Sequence, residues 1–173
     1  MKCYRYVGPP EIKERSANRL GTLITSAADL FRWRVAVSPE VLPDNTVPAT
    51  FAIDAAGGVR IADRRSEHVA CAGGGEVQSA GELFLHFNDE HVSVVAVTNQ
   101  STGYCPEPES WPAVAKAFES AGLTHPGRFR TEFVFRRCER CGQRNVVKEA
   151  VFECASCGGA LPSVWNFDAL ECP

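Results

Sequence analysis

The sequence predicts an α+β fold: a mainly antiparallel sheet with two principal helices, followed by a small C-terminal unit built on four cysteines. Three observations carry this expectation. Two pairs of period-two runs, at 50–62 and 82–98, each close on a polar turn. Two segments, 26–37 and 110–121, repeat apolar residues at three- and four-residue spacing. Beyond residue 128 the pattern Cys-x-x-Cys-Gly occurs twice. A chain of 173 residues, 45% hydrophobic and 23% charged, suffices for one ordinary core and a small appendage. We therefore expect an α+β domain over 1–127 and a four-cysteine unit with a packing tail over 128–173.

Taken in order, Cys3 to Val7 reads as a short first strand. Residues 7–25 are rich in proline and charge and lack periodicity, so they read as a loop or a loosely held arm. Ser26 is placed to cap a helix from Ala27 to Val37, with Asp29 in its first turn and Pro39 past its end. Leu30, Phe31, Trp33 and Val37 supply its apolar face. Thr50 to Ile53 and Val59 to Ala62 flank the turn residues Asp54-Ala55-Ala56-Gly57-Gly58 as a first hairpin. Glu82 to Phe87 and the β-branched run Val92 to Thr98 flank Asn88 to His91 as a second. Ser110 opens the second helix, whose Trp111, Val114, Ala115, Phe118 and Ala121 share a face, and Gly122 suits its C-terminal turn.

In the C-terminal unit, Phe129, Thr131, Phe133 and Phe135 alternate into Cys138-Glu139-Arg140-Cys141-Gly142. Twelve residues, a hairpin length, separate Cys141 from Cys154-Ala155-Ser156-Cys157-Gly158. Two thiolates three residues apart in a tight turn can share one metal ion, and the following glycine permits the turn that aims amides at the sulfurs. Cys138, Cys141, Cys154 and Cys157 are thus the expected metal ligands. Four thiolates favour zinc, with iron as the chemical rival. Knuckle, hairpin and knuckle in that order resemble the zinc-ribbon family over about residues 128–162. The resemblance implies a structural Zn2+, because a filled tetrahedral shell leaves no position for water or substrate. The tail from Leu161 to Phe167 is expected to pack back on the protein, and Cys172 reads as spare.

Charge is uneven. The whole chain carries a net −3, which argues against a surface that grips nucleic acid everywhere. Residues 128–148 nonetheless hold Arg128, Arg130, Arg136, Arg137, Arg140, Arg144 and Lys148 against only Glu132 and Glu139. Those seven are the candidate binding residues, for nucleic acid or an acidic protein partner. The plainer reading is a solvated face that pairs with the chain's own carboxylates.

Two polar stretches carry the competing reading, an enzyme or a sensor of a nucleotide or phosphorylated metabolite with zinc only as a brace. One, Arg64 to Gly75, offers Glu67, His68 and Cys71 before three glycines. The other, Asn99 to Glu109, offers Ser101, Tyr104 and Cys105 ahead of a helix N-terminus. Both are long for connections in a small chain. Against this, a buried small cysteine and a glycine loop account for the first stretch, and its glycines lack the Lys-Ser/Thr ending of a P-loop. Whether the protein is an enzyme stays open at this point. His86 and His91 read as strand residues flanking a turn.

No window approaches the roughly 18 apolar residues of a membrane span, and no apolar stretch follows Met1-Lys2-Cys3, so neither a span nor a secretory leader is expected. Four of eight cysteines in CxxC pairs suggest metal rather than disulfides, hence a reducing, cytoplasmic setting. Finally, Ala62 to Gly74, Asn99 to Pro108, the CxxC pairs and Trp165-Asn166-Phe167 together look like an uncharacterised family of bacterial proteins. That resemblance implies a bacterial source and one architecture joining the polar stretches to the ribbon. It carries no activity or catalytic residues.

Overall fold

The computed structural model describes residues 2–172. Its centre is the antiparallel pairing of β3 (Thr46–Asp54) with β5 (Val77–Phe87), running from Thr46 opposite His86 to Asp54 opposite Val77. Every residue of β3 except Asp54 is buried, as a strand covered on both faces requires. The first hairpin closes with β4 (Val59–Asp63), its turn held by Asp54, whose carboxylate accepts the amides of Ala56 and Gly58. The second closes with β6 (Val92–Val97), which pairs with the end of β5. Two short strands, β1 (Lys2–Tyr4) and β2 (Thr22–Ile24), and a last one, β9 (Ala169–Glu171), complete a seven-stranded sheet. The order is β2-β4-β3-β5-β1-β9, with β6 beside β5, and every pairing is antiparallel.

Helices cover both faces. On one side lie α2 (Ala27–Val37), which Ser26 caps as expected and where Asp29 reaches back to complete a capping box, and α4 (Trp111–Ser120). Leu30, Trp33, Val114 and Phe118 meet Phe51, Ile53, Leu83 and Leu85 there in the main core. Val37, expected on the buried face of α2, is 39% exposed, because Ser38 turns the chain away in a left-handed conformation. The opposite face carries α1 (Pro10–Ser16) and the single turn α3 (His68–Cys71), packed with Tyr4, Ala52, Ala80 and Tyr104.

Residues 7–25 therefore are not an arm. Pro10 presets the first turn of α1, Glu11 and the pair Lys13 and Arg15 complement its dipole, and Ile12 is the anchor on the core beneath. One inward apolar side chain in seven residues leaves no periodicity to read. The Arg64 to Gly75 stretch likewise contains a helical turn that its composition hides.

The C-terminal unit holds a two-stranded sheet of β7 (Val134–Arg137) and β8 (Arg144–Val147), with Phe135 opposite Val146. The chain then returns to the large sheet, as the aromatic tail led us to expect. Trp165 donates its indole N–H to the Cys105 carbonyl at 2.8 Å, and Phe167 packs with Cys105 and Phe135. Cys172 is not spare: it forms a disulfide with Cys3 across β1 and β9, Cα to Cα 5.2 Å. Strand pairing had brought the two backbones to disulfide distance, which cysteine spacing alone could not show. Among the described residues no helix is long and apolar enough to cross a membrane.

Candidate metal centre

The two CxxCG segments adopt the same turn. The Gly142 amide donates to the Cys138 carbonyl and the Cys138 amide to Gln143; the Gly158 amide donates to Cys154 and the Cys154 amide to Gly159. Gly142 and Gly158 sit at φ +75° and +65°, which a side chain would resist. The repeated turn places the Sγ atoms of Cys138, Cys141, Cys154 and Cys157 within 4.8 Å of one another. Cys138 to Cys157 and Cys141 to Cys154 are each 3.6 Å apart. A tetrahedral thiolate shell with metal–sulfur bonds of about 2.3 Å has sulfurs about 3.8 Å apart, so the donor set fits one metal ion. It is the one such cluster among the described residues. Four sulfurs would fill the shell. At Cys154 burial pushes the thiol up, but the amides of Ser156 and Cys157, the Cys141 thiol and the Asn145 side chain outweigh it and draw it down, while the same contact pushes Cys141 up, so the pair holds one proton more tightly than the other.

Asn145 was not singled out from the sequence. It is buried in β8 and joins the two knuckles: Nδ2 donates to the Gln143 carbonyl at 2.8 Å and to Cys154 Sγ at 3.6 Å, and Oδ1 accepts the Ala155 amide. An asparagine inside a strand pattern was the available signal, since strands disfavour it.

The seven basic candidates divide in two. Arg136, Arg137 and Arg144 are half-buried and hold the unit together. Arg136 donates to the Phe135, Pro162 and Ser163 carbonyls, Arg137 lies over the Phe167 ring, and Arg144 Nη1 donates to Val7 and Thr102. Arg128, Arg130, Arg140 and Lys148 are exposed. None of the seven lies within ion-pair distance of a carboxylate among the described residues. Arg128 and Arg130 line a 530 Å³ cleft with Val95, Phe129 and Glu132, and the Arg130 guanidinium stacks 4.6 Å from the Phe84 ring centre.

The polar stretches do meet, but through packing. Tyr104 donates its hydroxyl to the Gly75 carbonyl at 2.6 Å and shares a cluster with Val69 and Cys71. His68 Nε2 faces the Gly81 carbonyl at 3.0 Å, which places the proton on that nitrogen, and burial pulls its pKa down to about 4. Cys71 Sγ is 3.5 Å from the Arg60 carbonyl, and burial pushes its thiol up to about 12. Cys105, against the Thr102 carbonyl, is also held near 12 by burial. Glu67 is exposed, and Ser101 is fully buried with no partner for its hydroxyl among the described residues. Thus Glu67, His68 and Cys71 share a turn, closed by the Cys71 amide donating to the Glu67 carbonyl, but among the described residues their side chains do not hydrogen-bond one another.

No protein-family model matches this chain, and neither a curated protein nor a solved structure matches it. The resemblance to an uncharacterised bacterial family stands on the sequence runs alone.

Proposed function

We propose that residues 128–162 are a zinc ribbon, that its Zn2+ is structural, and that the protein is a binding module contacting nucleic-acid phosphates through its basic surface. The reading keeps the division near residue 128, with the α+β part as a platform. The observation that carries it is the set of exposed cations, Arg128, Arg130, Arg140 and Lys148, none of which lies within ion-pair distance of a carboxylate among the described residues. Asp44 feels the Arg130 charge and Glu132 shares its cleft, but without an ion pair the four cations keep their hydrogen-bond donors open to phosphate oxygens. The guanidinium stacked on Phe84 favours nucleic acid over an acidic protein, since a base can join an arginine–aromatic stack. Neutral, buried thiols at Cys71 and Cys105 also favour binding over covalent catalysis.

The test is titration against mixed-sequence single-stranded nucleic acid at several salt concentrations. Binding should weaken steeply with salt, and replacing Arg128, Arg140 and Lys148 together with Ala should lower the slope by about two. Arg136, Arg137 and Arg144 are unsuitable for this purpose because they brace the fold. Salt-insensitive or absent binding would turn the search to an acidic protein partner.

One observation favours the second reading, a small-ligand sensor: Cys71, Ser66 and Arg19 line a 200 Å³ cavity. Stabilisation by a phosphorylated metabolite that vanishes in Arg19→Ala would support it, and a melting point unmoved across a broad set would end it.

A further inference from the structure

A second site lies on the other side of the aromatic tail, independent of the metal. Lys2 and Tyr4 are two residues apart on β1 and so share a face. The Lys2 ammonium sits 3.7 Å from the Trp165 ring centre, 5.3 Å from that of Tyr4, and 2.5 Å from Glu107 Oε2. The two rings stand edge to face, 5.5 Å apart at 80°. Each wall is fixed. Tyr4 is 2% exposed, the Trp165 indole is tied to Cys105, and Glu107 is stiffened between Pro106 and Pro108. Beside the ammonium opens a 150 Å³ cavity lined by Tyr4, Gln78, Glu109, Pro112 and Ala113. Glu109 has no cation at ion-pair distance among the described residues.

We propose that Tyr4, Trp165 and Glu107 form a cage for an alkylammonium group, filled in this structure by the protein's own Lys2. An ordinary surface ion pair needs neither two crossed rings nor an adjoining cavity with a second carboxylate. An ammonium between aromatic faces is attracted by their quadrupoles, and the carboxylates add charge complementarity for a cation but none for an anion. Lys2, 39% exposed along its side chain, can swing out and leave the cage to a methylated amine or a lysine of another chain.

Calorimetric titration with tetramethylammonium chloride tests this, with sodium chloride at equal ionic strength as the control. Lys2→Ala should bind the ion about tenfold more tightly than the unchanged protein, because an internal competitor is gone. Adding Glu107→Gln or Trp165→Leu to Lys2→Ala should take back about that factor. Trimethyllysine peptide binding better than the free ion would identify a peptide ligand, and equal binding a free amine. Unchanged affinity in Lys2→Ala, or full affinity retained in Lys2→Ala/Glu107→Gln, overturns the proposal. Glu107→Gln perturbs no packed core and carries the test if Trp165→Leu melts early.

Discussion

At the scale of single residues, the least legible position was Gly81. A glycine before Glu82 reads as a break, and the sequence places the strand start after it. In the structure β5 begins at Val77 and runs through Gly81, where a Cβ would lie 2.0 Å from the Thr98 carbonyl oxygen. Glycine here permits a close backbone approach and does not end the strand. Gly81→Ala should cost about 3 kcal/mol in urea unfolding, since the obstacle is main chain and cannot rotate away. The Gly81 carbonyl also receives His68. With its pKa drawn below the unfolded value, His68 stays neutral when folded, so the unfolded chain binds more protons between about pH 6.5 and 4. Stability is accordingly full above pH 6.5 and declines as the pH falls toward 4. His68→Gln should flatten that part of a melting-point profile, and a profile unchanged by the substitution would count against the assignment.

Among elements, those with strong periodicity were readable: α2 and α4 appear close to their expected ends, and both hairpins are present, though β3 starts four residues and β5 five residues before the expected positions. Elements that bury one side chain were not, as α1 with Ile12 and the single turn α3 illustrate. Short strands such as β2 and β9 owe their existence to partners far along the chain, β4 and β1. The CxxC pairs announced the four-thiol cluster because four donors of one type at fixed spacing need no tertiary information. The link between the knuckles did need it. Asn145→Ala leaves the Ala155 amide without its acceptor and removes a donor to Cys154. Metal affinity measured against a chromophoric chelator should fall by about 10- to 100-fold. Equal affinity would show that the hairpin alone sets the knuckles.

At the scale of the molecule, the chain closes on itself: its described ends meet on neighbouring strands and are joined by the Cys3–Cys172 disulfide, 169 residues apart in sequence. In the chain-entropy account such a loop restrains the unfolded state by about 5 kcal/mol. Cys3→Ser/Cys172→Ser should lower the urea midpoint under non-reducing conditions and make it insensitive to dithiothreitol. A parent protein equally insensitive would show that the bridge is not formed in solution. The central claim concerns the four thiolates between these attachments. Elemental analysis and native mass spectrometry of the purified protein should find one zinc per chain. Cobalt exchange should give tetrahedral tetrathiolate bands that disappear in Cys138→Ser and Cys154→Ser. A protein that stays folded and metal-free at stoichiometric zinc would contradict the account.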